Sequence, residues 1–174
     1  VLRGDFGPSF RFPGRSVSEM VATGLPVTFE LAFYAILIAL LIGVSSGVLA
    51  ALKRNTYLDF IPMAIAMIGI CVPTFLMGPL LVLIFGINLE ILPVSGWGQL
   101  AGDKILPSIT LGFAYAAYIA RLSRGGMLEV LNQDFIRTAR AKGLTERNVV
   151  IKHAMQGGLI PVVSFLGPAI AGLL

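Results

Sequence analysis

Residues 26–52, PVTFELAFYAILIALLIGVSSGVLAAL, carry a single charged side chain, Glu30, near their leading end. From Phe29 to Leu52 the run is long enough to cross a hydrocarbon core of about 30 Å as a helix. That reading sets the class of the chain. Gly43, Gly47, Ala50 and Ala51 put small residues on one stretch of this helix. Small residues at that spacing let a second helix approach closely, and ordinary helix packing is the simplest account of them.

Working outward, residues 1–24 are rich in Gly, Pro and Ser and read as an irregular extramembrane segment. Ser16 or Ser18 is placed to cap a short helix leading into the membrane. On the other side, KRNTYLD at 53–59 is a short polar turn. Residues 60–87 form a second apolar run, interrupted by Pro62, Pro73 and Pro79 and by Gly69 and Gly78. Such a helix survives in a membrane bundle when neighbours satisfy the freed carbonyls. Its kinks fit a helix lining a pathway and plain architecture equally well. Residues 88–104 return to Gly-rich polar character, with Trp97 suited to the interfacial belt. A third span is predicted over about 105–122 and a fourth over 158–174, separated by a loop at 123–157. The fold class is therefore all-α, a polytopic transmembrane bundle. The chain begins with Val1 and ends inside an apolar run, so further helices are expected before Val1 and after Leu174. No signal peptide is expected, since the first residues lack an apolar core.

Composition agrees. Only 13% of residues are charged, against about 25% in a soluble domain, and 56% are hydrophobic. The net charge of +4 is concentrated in loops, which argues against nucleic acid as a partner. Lys53 and Arg54 lie in one connection, and Arg121, Arg124, Arg137, Arg140, Lys142, Arg147 and Lys152 in or beside another. The 88–104 connection has Lys104 alone. The positive-inside rule then places 53–59 and 123–157 in the cytoplasm and residues 1–24 outside, although Arg3, Arg11 and Arg15 pull the other way.

Several chemistries are missing. There is no G-x-x-x-x-G-K-[ST], so the chain does not bind ATP through a P-loop. The one His, His153, has no Cys or His cluster around it and reads as a loop or helix-end residue, so no metal or cofactor is expected. The one Cys, Cys71, sits in an apolar run and has no intrachain partner. No Asp, Glu, Lys, Arg or His occurs in 31–52 or 60–87, which counts against a proton- or ion-coupled carrier. Glu30 and Asp59 lie near span ends, where a solvated interfacial role is expected. The polar positions inside spans are Ser45, Ser46, Thr74, Ser108, Thr110, Tyr115 and Tyr118. Ser45, Thr74, Ser108, Thr110 and Tyr115 are candidates for a translocation path, and hydrogen bonding to neighbouring helices is the plainer account of them.

The 123–157 loop is much longer than a return across a bilayer needs. Asn132 or Asp134 can cap a helix over FIRTARAK, which Gly143 ends in a left-handed conformation. Thr145 can cap a second helix, with Glu146 in its first turn. The pair has an apolar side, Phe135, Ile136, Ala139, Leu144, Val149, Val150 and Ile151, and a basic side. Two readings stay open on composition: a helix pair lying on anionic lipid, or a short helix fitting a groove in another subunit.

This loop resembles the cytoplasmic loop of permease subunits of ATP-binding-cassette importers. Their general pattern is Glu-Ala-Ala, three residues, Gly, then Ile-x-Leu-Pro after nine more. Arg137-Thr138-Ala139 stands at the first place and Gly143 at the Gly, while His153-Ala154-Met155-Gln156 replaces the last. Only Ala139 and Gly143 match that general form. FIRTARAKGL at 135–144, His153-Ala154, LIP at 159–161, GDFGPS at 4–9, KRNT at 53–56 and GPA at 167–169 are similar to the narrower peptide branch. The likeness covers nearly the whole chain and lies nearest the B-type permeases of oligopeptide importers.

The resemblance implies a type I importer permease fold in a bacterial inner membrane, with no enzymatic step of its own. It implies a second permease as heterodimer partner, two cytoplasmic ATP-binding subunits, an extracytoplasmic peptide-binding protein and surrounding lipid. Arg137, Ala139, Lys142, Gly143, Leu144, Thr145 and Glu146 are then the residues expected to couple to an ATPase subunit. Related permeases serve dipeptides, glutathione or nickel. An ATP-independent carrier or channel and a lipid-binding scaffold are the readings from other classes.

Overall fold

A computed structural model describes residues 6–174. Arg3 and the first two residues of the GDFGPS motif lie outside the described residues. The described residues form helices and loops, with an isolated antiparallel bridge between Pro8 and Ser16 and no strand.

Helix α1 runs Val17–Leu52. It starts well before Pro26, so the short helix expected after a cap at Ser16 or Ser18 runs through residues 17–24 into the span without a break. Ser16 has extended backbone and its hydroxyl accepts from the Ser18 N–H at 3.2 Å, which supplies the N-cap. The chain reverses after Leu52 through Asn55, whose φ of 61° lies in the left-handed region that Asn tolerates.

The second apolar run is not one kinked helix. It divides into α2, Tyr57–Cys71, and α3, Thr74–Leu81, which continues as a π-helical stretch, Val82–Asn88. The two halves meet at 109°. Pro73 is the cause: it donates no hydrogen bond and forces the residue before it out of the helical region. Val72 accordingly sits at φ −82°, ψ 118°.

Helix α4, Ile105–Leu131, is central. It runs parallel to α1, because Gly112 meets Ala35, Gly43 meets Ala116 and Gly47 meets Ala120. Along α1, Ala32, Ala35, Ala39, Gly43, Gly47 and Ala50 are buried at helical spacing, so the seam is a stripe of small residues. A Cβ on Gly47 would lie 2.4 Å from the Ala120 carbonyl oxygen. Helix α2 packs antiparallel on α4, with Asp59 at Arg124, Ala66 near Ala117 and Ala120, and Gly69 at Phe113.

After α4 come α5, Asp134–Ala141, and α6, Glu146–Asn148. A π-helical stretch, Val149–Ala154, leads into α7, Met155–Gly158, and then α8, Ile160–Leu173. Helix α8 returns along α4, with Val162 at Ile119 and Phe165 near Tyr115. The register therefore gathers the 53–56 turn and α5–α7 at one end of the bundle, and Glu30 with the 89–104 loop at the other.

By length and composition, α1 and α4 can each cross a membrane, and the bent pairs α2–α3 and α6–α8 qualify only as joined halves. Large apolar side chains such as Phe33, Leu41 and Val163 face outward, as lipid-facing residues do. The fold is an all-α bundle of membrane-spanning helices.

Candidate functional site: the helix pair at the end of α4

The segment after Leu131 is built as a seat and a rider. Gln133 stands at the start of α5 with extended backbone and makes no side-chain cap, and Asp134 lies inside the first turn. The capping expected of Asn132 or Asp134 is therefore not made: Asn132 instead donates to the Leu128 carbonyl at 2.7 Å, closing the end of α4. Helix α5 ends at Ala141 with Lys142 as its C-cap, and Gly143 follows at φ +77°. The Gly143 N–H donates to the Arg140 carbonyl at 2.9 Å and the Leu144 N–H to the Ala139 carbonyl at 3.4 Å. These two bonds are a Schellman closure, which requires the left-handed residue that Gly supplies at least cost. Thr145 sits in N-cap geometry at φ −62°, ψ 145°. Its hydroxyl makes no cap bond, and its carbonyl accepts from Val149 at 3.0 Å.

The apolar side of this pair divides in two. Ile136, Ala139, Val149, Val150 and Ala154 are buried with Met127 and Val130 of α4 and Ala51 of α1 in one cluster. Phe135, Leu144 and Ile151 are left 46%, 40% and 50% exposed. The first group holds the segment on the bundle, and the second faces away with nothing over it.

The charged side chains organise the rider. Arg140 grips Glu146 with two bonds, Nε to Oε2 at 3.1 Å and Nη2 to Oε1 at 2.6 Å, across the Gly143 turn. The hydrogen bonds from Arg140 hold the Glu146 carboxyl below its usual range and raise the guanidinium in return. Arg137 meets Asp134 at 3.3 Å, an exposed pair one turn apart. Lys142 is exposed at the end of α5. The seven residues of the sequence motif thus lie together on one helix–turn–helix, with Ala139 alone turned into the core.

The polar span residues do not converge. Ser108 lines a cavity of about 790 Å³ with Tyr34, Ile38 and Gln99. Thr110 lines another of about 280 Å³ beside Gly78 and Val94, and Ser45 a third of about 480 Å³ with Leu41 and Met155. Ser45 and Thr110 spend their hydroxyls on carbonyls one turn back, to Leu41 and Ile42 and to Leu106. Tyr115 rests 6.3 Å from the Phe165 ring, and Thr74 is exposed at the start of α3. Ser108 is buried with its hydroxyl unpartnered.

One charged site departs from the sequence reading. Asp59 is 1% exposed rather than solvated, and Arg124 holds both its oxygens, at 2.5 and 2.8 Å. Opposite charges close to the same end of successive spans were the available signal for this pair. At the far end Glu30 pairs with Lys104 and accepts from the Trp97 indole at 3.1 Å. Nearby, the N–H groups of Leu100 and Gln99 bind the buried Asp103 carboxylate and hold it below its usual range. No His, Cys, Asp and Glu group fit to hold a metal occurs among the described residues.

A helical membrane bundle that carries a seated and partly bare helix pair at one end fits the class of transport components. Residues 43–174 match the family described as the inner membrane component of binding-protein-dependent transport systems, and the chain belongs to that family. It is 49% identical, over its whole length, to the oligopeptide transport system permease protein OppB of Salmonella typhimurium, and equally so to that of Escherichia coli. It is 43% identical to the dipeptide transport system permease protein DppB of Bacillus subtilis, again over its whole length. The chain spans 57% of the length of the Salmonella and Escherichia relatives and 56% of the Bacillus one.

Proposed function

We propose that the chain is the multi-pass permease part of an ATP-driven importer of oligopeptides, in the inner membrane of a bacterium. It pairs with a second permease to form the translocation path, receives peptide from an extracytoplasmic binding protein, and is driven by two separate ATP-binding subunits. Residues 1–24 face outside, and 123–157 form the cytoplasmic coupling loop within a transmembrane domain over 25–174. The higher identity to oligopeptide than to dipeptide permeases favours the longer substrates.

The observation that carries the reading is the division of the α5–α7 segment into a buried seat and a bare outer face. A lipid-binding helix pair would bury its apolar side in the membrane, whereas here the largest share of that side is already used against α4 and α1. The remaining Phe135, Leu144 and Ile151, with Arg137, Lys142, Arg147 and Lys152 exposed on the same segment, suit a groove in a protein. Ala139 lets α5 lie close to the bundle, Gly143 sets the angle between the two short helices, and Thr145 and Glu146 fix the start of the second. In this reading closure of the ATPase pair pulls on that rider, and the bundle tilts as a body between inward- and outward-open states. The permease makes and breaks no covalent bond. Ser45, Thr74, Ser108, Thr110 and Tyr115 remain its proposed path residues.

The test is a cross-link. Cys71→Ser removes the native thiol, and Thr145→Cys in the full-length protein places one on the rider. A bond to an ATPase subunit in native membranes that changes with ATP supports the coupling role. Free labelling of the thiol by cytoplasmic reagents, with no bond to any ATPase, overturns it.

A further inference from the structure

Around residues 123–130, α4 is held on three sides. Ser123 lies against α1, where a Cβ on Gly47 would come within 2.6 Å of its own Cβ. Met127, fully buried, and Val130 lie under Ile136, Ala139 and Val149 of the rider. Between these contacts, Arg124 reaches α2 and binds both oxygens of Asp59. Asp59 is fixed in turn by the Asn55 N–H at 3.0 Å, at the mouth of the turn joining α1 to α2. The rest of the α2–α4 contact is apolar: Ala66 against Ala117 and Ala120 with Met63 and Ile70 beside them, and Gly69 against the Phe113 ring. At the other end of α2 lies the 109° break at Val72 and Pro73.

We propose that Asp59 and Arg124 are a positioning pair that delivers the movement of the coupling segment to α2 and so to the break before α3. This rests on the importer reading above. The seat on Met127 turns a pull on the rider into a movement of α4, and the pair makes α2 follow. A bidentate guanidinium–carboxylate contact fixes orientation as well as distance through directed bonds. Stability alone is a poor reason for such a pair, because desolvating two charges offsets most of their attraction and an apolar contact holds helices equally well.

The experiment uses the full-length protein assembled with its partner permease and ATPase subunits in proteoliposomes, with the binding protein and labelled trialanine as the probe. ATP hydrolysis and uptake are both normalised to assembled complex. Asp59→Asn, Arg124→Gln and the double variant are expected to hydrolyse ATP within about twofold of wild type, while uptake per ATP falls about tenfold. The double variant is expected to be no worse than either single, as for two residues acting as one unit. A merely structural pair would lower the amount of complex and leave uptake per ATP unchanged, which overturns the proposal. If the neutral variants do not assemble, Arg124→Lys decides: it keeps the charge and loses the fork, so wild-type uptake per ATP in that variant overturns the proposal and a severalfold loss supports it. Wild type without ATP-dependent uptake overturns the importer reading and the pair's role with it. Wild-type uptake with an unchanged ratio in the variants overturns the pair alone.

Discussion

The α1–α4 seam and the seat of the coupling segment hold helices together in opposite ways. In the seam the close approaches are made by small residues: Ala35, Ala39, Gly43 and Gly47 meet Gly112, Ala116 and Ala120, backbone lies close to backbone, and Ile119 and Ile38 lie over Gly43 and Gly112. In the seat the contact is made by side chains with volume, Met127, Ile136, Val149 and Val150, each buried to 7% exposure or less. A seam of the first kind fails when atoms are added, and one of the second kind fails when atoms are removed. The first suits two helices that move as one body. The second suits a segment that must stay attached while a partner pulls on it.

The sharpest way to break the comparison is to add volume to the seam. Gly47→Leu puts its Cβ against the Ala120 carbonyl oxygen and the Ser123 Cβ, with no flexible neighbour to yield. The expected loss exceeds about 3 kcal/mol, read as failure to reach the folded state in detergent-solubilised unfolding curves. Wild-type stability would mean that α1 and α4 are not held this closely. Removing volume from the seat comes next. Met127→Ala leaves a hole beneath Ile136 and Val149, for an expected loss of about 2–3 kcal/mol on the same measurement. Wild-type stability of Met127→Ala would mean that side-chain volume does not hold the seat, and would erase the distinction.

Gly143→Val separates the rider from its seat. No atom lies within 4 Å of a Cβ built there, so nothing clashes, but φ +77° costs a β-branched residue about 1–2 kcal/mol locally. The variant is expected to insert and keep the bundle while peptide uptake by the full complex collapses. Normal uptake would sink the assignment of the turn to coupling.

Much of this was legible in the sequence, and the reasons are local. The apolar runs gave the helices, Gly143 gave the turn, and the basic count put the 53–56 turn and α5–α7 at the same end, which the register of α1, α2 and α4 reproduces. What periodicity could not supply was the partner of each face. Phe135, Ile136 and Val149 read as one apolar side, and only the packing divides them into a buried seat and a bare outer edge. Asp59 read as solvated because its partner Arg124 is distant in sequence, and burial of a charge depends on that partner. The 109° break was hidden for a different reason: Pro62, Pro73 and Pro79 look alike in the sequence, yet Pro62 and Pro79 lie inside helices and only Pro73 ends one.

The smallest effect tests what holds the rider in shape. Arg140 depresses the Glu146 pKa, so the pair's contribution is present above the ordinary glutamate value near 4.5 and is lost as the pH falls through the lowered one. Both side chains are largely exposed, at 42% and 58%, so solvent and salt screen the pair and its worth is about 0.5 kcal/mol or less. Glu146→Gln is therefore expected to remove a shallow acid-dependent step from the unfolding curve and to change stability at neutral pH very little. A loss near that of Met127→Ala would mean that the pair, and not the buried side chains, keeps α5 and α6 together. If stability holds while uptake falls, Glu146 matters for the face it presents, since its removal leaves Arg140 free to turn toward whatever binds beside Leu144.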